Sequence, residues 1–232
     1  MQITALEIQK DIIKTLDAFD HLLYGFAYVG DFSSGKFKNT SYAITIGLPL
    51  SPTIVDEIIS GPNQVYYDEY LNVNDKLDLI TETLKNQINR QGYLAYAIPS
   101  SKRTDFVNIK GEFPHKVAAV RGGLGWIGKS SLLISKKYGP RIRISTVLTD
   151  IPFQTNGLLL KNYCGTCKRC VYACPAGAIA GNLWSEDLSR EELIDVRKCD
   201  VWKINHYSQF QGHVCGICVA VCPHGMKKVL DQ

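Results

Sequence analysis

No cysteine occurs before residue 164, although the chain contains eight of them. The sequence also has no apolar run near the roughly 18 residues that a membrane-spanning helix needs. It lacks a strong excess of either charge, since the net charge is +4 from 26 basic and 22 acidic residues. Such a balance does not indicate a nucleic-acid-binding surface or a disordered chain. We therefore expect a globular protein whose reactive side chains are concentrated toward one end.

The N-terminal segment indicates where the protein resides. Residues 1–14, MQITALEIQKDIIK, carry acidic side chains and a helical period but no apolar signal-peptide core. A segment of this kind does not direct secretion. We expect a cytoplasmic protein without a membrane partner. Thiols in that compartment stay reduced, which disfavours disulfide bonds as the role of the cysteines.

The first cysteines follow the spacing C-x2-C-x2-C-x3-C-P. In bacterial ferredoxins three thiolates of this run bind one [4Fe–4S] cluster and the fourth binds the other cluster. A displaced cysteine and the run CGICVAVCP form a second group. The crossing rule predicts one cluster on Cys164, Cys167, Cys170 and Cys222, and the other on Cys174, Cys199, Cys215 and Cys218. Zinc is the alternative, because thiolates in C-x2-C pairs also suit it.

Apolar periodicity outlines the elements upstream of the cysteines. Strand-like runs cover 21–30, 41–48 and 93–98, and a long helix continues to Gly92. Residues 131–135 and 141–150 are predicted to form a strand pair around the turn at 137–140. This mixed order favours an α+β fold with a partly antiparallel sheet. A first helix has the apolar stripe Leu6, Ile12, Ile13, Leu16 and Phe19.

The stretch GLGWIGKS, residues 123–130, matches two nucleotide-binding patterns, G-x-G-x-x-G and G-x-x-x-x-G-K-[ST]. Both patterns require a buried strand before the glycines and a helix after them. Here the preceding HKVAAVRG is helix-like and the following SLLIS is strand-like. We therefore interpret the stretch as a structural loop and do not expect a bound nucleotide.

Several motifs follow one another in a fixed order: RGGLGWIGKSSLLIS, YGPRIRISTVLTD, the first cysteine run and CGIC-x3-CP. This combination resembles the epoxyqueuosine reductase family, cobalamin-dependent iron–sulfur enzymes that reduce the epoxide of a modified tRNA base. The resemblance is dense from Phe113 to Gly225. It implies a corrinoid-binding α+β domain over 1–158, similar to nitroreductase and flavin-reductase folds. A ferredoxin-like domain with two clusters would follow over 159–232.

The resemblance also implies functional residues outside the cysteines. Lys129 would be a polar contact to the corrinoid or its substrate, and Trp126 would be a further contact or a core residue. His115 and Lys116 would lie at the wall of the same pocket. Glu112 is the candidate proton donor, although the family has an aspartate in an Asp-Ser-x-Pro segment where this chain reads Gly-Glu-Phe-Pro.

Two further departures from the family bear on the substrate. The family's Asp-Tyr-His appears as Glu69-Tyr70-Leu71, and the sequence ends at Gln232, shortly after the last cysteine. We therefore expect a shortened form without the C-terminal helical-repeat domain, and we do not expect tRNA as the substrate.

Three functions are compatible with these features. In the first, the clusters receive electrons from a low-potential donor and pass them to a bound cobalamin, either to reduce a small substrate or to reactivate a corrinoid protein. In the second, the chain is a two-cluster electron carrier without an organic cofactor. In the third, it is an epoxyqueuosine reductase proper. The first is the preferred hypothesis.

Overall fold

The computed structural model describes residues 4–32, 34–157 and 161–226. The helices are α1 (Ala5–Asp17), α2 (Pro52–Asp56), α3 (Gln64–Arg90), α4 (His115–Arg121), α5 (Arg169–Ala173), α6 (Arg190–Leu193), α7 (Val196–His206) and α8 (Ile217–Ala220). The strands are β1 (Leu23–Tyr28), β2 (Tyr42–Pro49), β3 (Ala95–Ile98), β4 (Gly125–Ile127), β5 (Leu133–Ser135) and β6 (Ile142–Thr149). The mixed α and β character expected from the sequence is confirmed.

The chain divides into two compact units that interleave along the sequence. The first comprises Met1–Pro49, Asn72–Leu124 and Arg143–Leu159, and the second comprises Leu50–Leu71, Gly125–Ile142 and Leu160–Gln232. The family resemblance implied two consecutive ranges, 1–158 and 159–232, and the restriction of cysteine to the last part of the chain suggested a similar boundary. Two segments without cysteine thus belong to the cysteine-rich unit. Within the described ranges, no helix combines the length and the apolar character that crossing a membrane requires.

A four-stranded sheet in the order β1-β2-β6-β3 forms the centre of the first unit. β1 and β2 are antiparallel, with Leu23 opposite Gly47 and Tyr28 opposite Tyr42. β3 and β6 are also antiparallel. The apolar run in β2 is largely buried, as expected for an inner strand. The core beside it contains Ala27, Val29, Phe37, Ala43, Ile98, Phe113, Ala118 and Leu148.

Helix α1 begins at a capping box. The Thr4 side chain accepts a hydrogen bond from the Glu7 backbone N–H, and the Glu7 carboxylate accepts one from the Thr4 backbone N–H. This reciprocal pair satisfies backbone donors that have no partner within the helix. The buried face is formed by Ile8, Ile12 and Leu16. The predicted helix is therefore present, but its outermost predicted apolar positions, Leu6 and Phe19, are exposed.

The predicted strand pair between 131–135 and 141–150 is wrong. β5 pairs with β4 instead, with Gly125 opposite Ser135 and Ile127 opposite Leu133. β6 lies between β2 and β3 in the sheet of the first unit. The turn residues do bring Ser135 and Gly139 together in an isolated bridge. A local turn signal cannot identify the partner of an apolar strand, because strand pairing depends on residues distant in sequence.

The second unit is built from short elements. Three of its helices, α5, α6 and α8, have five, four and four residues. Among its described residues, its sheet consists of the strands β4 and β5. A close backbone approach occurs at Gly125, where an added Cβ would lie 2.0 Å from the Ile134 carbonyl oxygen. The close approach of β4 to β5 therefore explains why the GLGWIGKS stretch has a glycine at position 125.

Candidate iron–sulfur centre

The loop that carries Cys164 and Cys167 is held by its neighbours in the chain. The Asn162 side-chain oxygen accepts a hydrogen bond from the Cys164 N–H at 3.0 Å, and its amide donates to the Ile127 carbonyl in β4 at 3.0 Å. The Cys167 N–H donates to the Cys164 carbonyl. Gly165 has φ +48°, a left-handed conformation that glycine adopts readily. The loop then leads into α5, whose second residue is the third cysteine, Cys170.

Four cysteines line one cavity in the second unit. They are Cys164, Cys167, Cys170 and Cys222. Cys170 lies on α5, and Cys222 follows α8, which packs against α5. Burial, together with the charges of the other thiols of this set, raises the pKa of Cys222 to about 11. Burial and the neighbouring Cys164 and Cys167 also raise the pKa of Cys170.

The other four cysteines form a second set, Cys174, Cys199, Cys215 and Cys218. Cys199 lies on α7, Cys218 lies on α8, and Cys174 is the residue that ends α5. Burial raises the pKa of Cys218 strongly, and the charges of Cys215 and Cys199 add to the effect. The Ala178 N–H donates to the Cys174 sulfur at 3.4 Å. Burial raises the pKa of Cys199, and the charges of Cys215 and Cys174 add to the effect, so these thiols lie near one another. The assignment of the eight cysteines to two clusters stays a prediction.

The donor set suits two clusters better than single metal ions. All eight cysteines are free thiols. Among the described residues, no three His, Cys, Asp or Glu side chains converge on a point where one metal ion would be held. A zinc site needs such convergence, with every Zn–S bond near 2.3 Å. A [4Fe–4S] cluster binds each thiolate through a different iron, so its four sulfurs lie further apart.

Lys129 also lines the first cavity and is 5% exposed. Its ammonium group donates to the Gly165 carbonyl at 2.7 Å and to the Cys167 carbonyl at 3.1 Å. Both acceptors belong to the loop that carries the first cysteines. The structure therefore gives Lys129 a contact with the cysteine loop that the sequence did not predict.

Trp126 occupies a core position, which was one of its two predicted roles. The side chain is 5% exposed. Its ring centroid lies 5.1 Å from that of Tyr163 and 5.0 Å from that of His224. The indole Nε1 has no hydrogen-bond partner among the described residues. Trp126 therefore packs within the second unit, behind the first cysteine loop.

The three other predicted site residues lie in the first unit. His115 is hydrogen bonded at both ring nitrogens, to the Thr146 hydroxyl at 2.8 Å and to the Pro99 carbonyl at 3.2 Å. A carbonyl only accepts, so Nε2 carries the proton and Nδ1 accepts from Thr146. Burial lowers the pKa of His115 to about 4. A cofactor contact would require one of these bonds to break.

Glu112 forms an ion pair with Lys36 at 2.9 Å. Lys116, on the first turn of α4, is half-buried. Glu112, His115 and Lys116 thus lie in the first unit, and Trp126 and Lys129 lie in the second. Their roles toward a corrinoid stay predictions.

Two residues that hold the cysteine segments were not predicted from the sequence. Arg141 is 2% exposed and donates to the Pro52 carbonyl at 3.0 Å, to the Asp56 carboxylate at 2.6 Å and to the Ala220 carbonyl at 3.4 Å. It thereby joins α2 to the end of α8. Asn162 holds the first loop, and its place two residues before a cysteine was its only signal.

A family model described as "4Fe-4S double cluster binding domain" matches residues 163–225. The epoxyqueuosine reductase of Leadbetterella byssophila is 30% identical over 162 residues, which are 67% of this chain and 48% of that protein. The tetrachloroethene reductive dehalogenase of Desulfitobacterium hafniense is 37% identical over 114 residues, 45% of this chain and 21% of that protein. The chain thus spans half or less of the length of these relatives. The resemblance to epoxyqueuosine reductases is confirmed.

Two solved structures share the fold. One is a reductive dehalogenase whose structure suggests a mechanism for B12-dependent dehalogenation. It has a TM-score of 0.71 at 16% identity, and the matched region covers 97% of this chain and 37% of that chain. The other is an epoxyqueuosine reductase with a tRNA-Tyr epoxyqueuosine-modified stem loop. It has a TM-score of 0.58 at 17% identity and covers 98% of this chain and 68% of its own. At these identities the likeness concerns the fold alone.

Proposed function

We propose that this homologue of the epoxyqueuosine reductases is an iron–sulfur redox protein that delivers single electrons from two [4Fe–4S] clusters to a cobalamin-type acceptor. Cys164, Cys167, Cys170 and Cys222 hold one cluster, and Cys174, Cys199, Cys215 and Cys218 hold the other. The observation that carries the proposal is the grouping of eight thiols into two sets of four, each drawn from distant parts of the sequence.

The protein's own residues bind and shield the clusters. When bound, each cluster stores one electron at a potential that depends on net charge, hydrogen bonds to sulfur and exposure. Asn162 fixes the first loop, and the Ala178 N–H bonds to a sulfur of the second set. Cys218 and Cys222 are half-buried, and solvent exposure is one of the properties that set a cluster's potential.

A cobalamin as the electron acceptor is supported by the relatives, one of which is described as B12-dependent. The residues predicted for this cofactor, Glu112, His115, Lys116, Trp126 and Lys129, stay its candidate contacts. The nitroreductase-like fold of the first unit and the cytoplasmic location remain predictions.

The preferred substrate is a small molecule or the corrinoid of a partner protein. A second candidate is the reduction of epoxyqueuosine in tRNA, which was not expected from the sequence. It is favoured by the similarity to the Leadbetterella byssophila enzyme. Turnover of an epoxyqueuosine-containing stem loop by the fully loaded protein would establish it, and no turnover would leave the first candidate.

The first test is purification without oxygen, reconstitution with iron and sulfide, and titration with cob(II)alamin followed by electron paramagnetic resonance. We expect about eight irons per chain, four for each cluster, and a changed cobalt signal. Eight irons with an unchanged cobalt signal would reduce the proposal to a two-cluster electron carrier. Fewer than four irons would reject it altogether.

Paired substitutions test the ligand assignment directly. Cys164→Ser with Cys222→Ser alters two ligands of one proposed cluster, so about four irons should remain. Cys164→Ser with Cys218→Ser alters one ligand of each and should lower the iron content further. Equal iron loss in the two double variants would contradict the crossed assignment.

A further inference from the structure

The two cysteine sets differ in the buried positive charge beside them. Lys129 lines the cavity of the first set and is 5% exposed. Among the described residues its hydrogen-bond partners are the neutral carbonyls of Gly165 and Cys167. No carboxylate of the described chain therefore neutralises this ammonium group through a direct contact.

The cation beside the second set is paired. Lys203, on α7, acts electrostatically on Cys199 and Cys215. Its ammonium group lies 3.3 Å from the carboxylate of Asp200, which is 8% exposed. The opposite charges of Lys203 and Asp200 largely cancel at a distance. The second set thus has a half-buried cation that a neighbouring carboxylate offsets in part, whereas the first has a buried cation without a direct carboxylate contact in the described ranges.

A buried charge acts on its surroundings far more strongly than an exposed one, because little water screens it. Adding an electron to a cluster increases its negative charge, and a nearby cation stabilises the more negative state. The exposed Lys168, between Cys167 and Cys170, is screened by solvent and has a much smaller effect.

We infer that Lys129 is a positioning and tuning residue: it fixes the loop of the first cluster and makes that cluster the more easily reduced of the two. This inference rests on the proposed function, since it needs both clusters. The donor loses one electron, and the first cluster gains it, passing from [4Fe–4S]2+ to [4Fe–4S]1+. The electron then occupies the first cluster in preference to the second.

The experiment is an anaerobic redox titration of the reconstituted protein with dithionite and mediators, followed by electron paramagnetic resonance. The wild type should show two one-electron steps. Lys129→Gln keeps a donor for the carbonyls but removes the charge. At a fixed potential it should lower the reduced-to-oxidised ratio of the first cluster about tenfold, which is 59 mV for a one-electron couple. The second step should not move.

Three variants serve as controls. Lys129→Arg retains the charge and should keep the ratio near the wild-type value. Lys168→Gln removes an exposed charge from the same loop and should leave both steps in place. Asp200→Asn removes the partner of Lys203 and should make the second cluster easier to reduce, a shift opposite in direction to that of Lys129→Gln.

The outcomes separate this inference from the proposed function. A wild type without eight irons would reject the proposed function itself. Full iron content with unchanged steps in Lys129→Gln would overturn the tuning role alone. If Lys129→Gln lost iron, the tuning role would be tested with Lys129→Arg instead. A large shift of the first reduction step in that variant, which keeps the positive charge, would also overturn the tuning role.

Discussion

The two units of this protein reach a stable fold by different physical routes. The first has a four-stranded sheet and the helices α1 and α4, together with most of α3, which runs for 27 residues. The second has a two-stranded sheet, the 11-residue helix α7 and helices of four and five residues. Isolated helices this short are at best marginally stable in water. The second unit also buries apolar side chains, among them Ile58, Ile134 and Phe210, but most of its helices around the cysteines are very short. We therefore expect cluster binding to contribute more to the stability of the second unit than to that of the first.

The largest expected effect is therefore the loss of iron. Metal-binding free energy is folding free energy where the ligands come from otherwise unstable elements. Anaerobic chelation should abolish hydrogen-exchange protection in α5 and α8 while the strands β1 and β2 stay protected. Exchange measured peptide by peptide would show this directly. Equal loss of protection in both units would contradict the comparison.

Arg141 and Arg143 lie two residues apart but serve different units. Arg141→Leu removes three hydrogen bonds in the second unit. Its carboxylate partner Asp56 stays solvated, with a 62% exposed side chain. We expect a loss of about 2–3 kcal/mol in the unfolding free energy of the second unit.

Arg143→Leu is the matched change in the first unit, where the guanidinium donates to the Asn74 side chain at 2.9 Å. It should cost about 1–2 kcal/mol there. Hydrogen exchange in each unit, with iron present, measures both effects. The assignment of the two arginines to different units fails if either substitution weakens both units equally.

His115 should make the stability of the first unit depend on pH. Burial lowers the pKa of its ring to about 4, against about 6.5 in an unfolded chain. The unfolded state then binds more protons, so stability falls as the pH decreases from about 6.5 to about 4 and changes no further below that. The loss would be at most about 3 kcal/mol.

This prediction is checked by measuring the unfolding free energy at pH 7 and at pH 5, with the NMR methyl signals of the first unit as the probe. His115→Gln should remove most of the difference between the two pH values. A variant that retained the full wild-type difference would show that another group is responsible.

The smallest effects concern two capping boxes, one in each unit. Thr4 caps α1 through Glu7, and Ser189 caps α6 through Glu192. Thr4→Ala should cost about 1 kcal/mol in the first unit. Ser189→Ala should cost less, because α6 has a single turn to lose. Thermal unfolding measures the loss of stability in each variant, with iron content as the control. A larger loss for Ser189→Ala than for Thr4→Ala would contradict the expected order.

Much of the fold followed from short-range pattern. The apolar stripe of α1, the run in β2 and the stop of α3 near Gly92 were all predicted, because helical and strand periods are local properties. The pairing of β5 was wrong, since a strand's partner is chosen by packing across the sheet. The interleaved division of the chain was likewise invisible to cysteine content.

What the sequence alone determined is the ligand chemistry. The spacing of the eight cysteines and the crossing rule define two sets of four, because thiolates two or three residues apart can reach neighbouring irons of one cluster. Only the tertiary structure decided which other side chains serve those sets. Lys129 and Arg141 donate to backbone carbonyls far away in sequence, as Asn162 does to Ile127, and such contacts leave no pattern among the residue types.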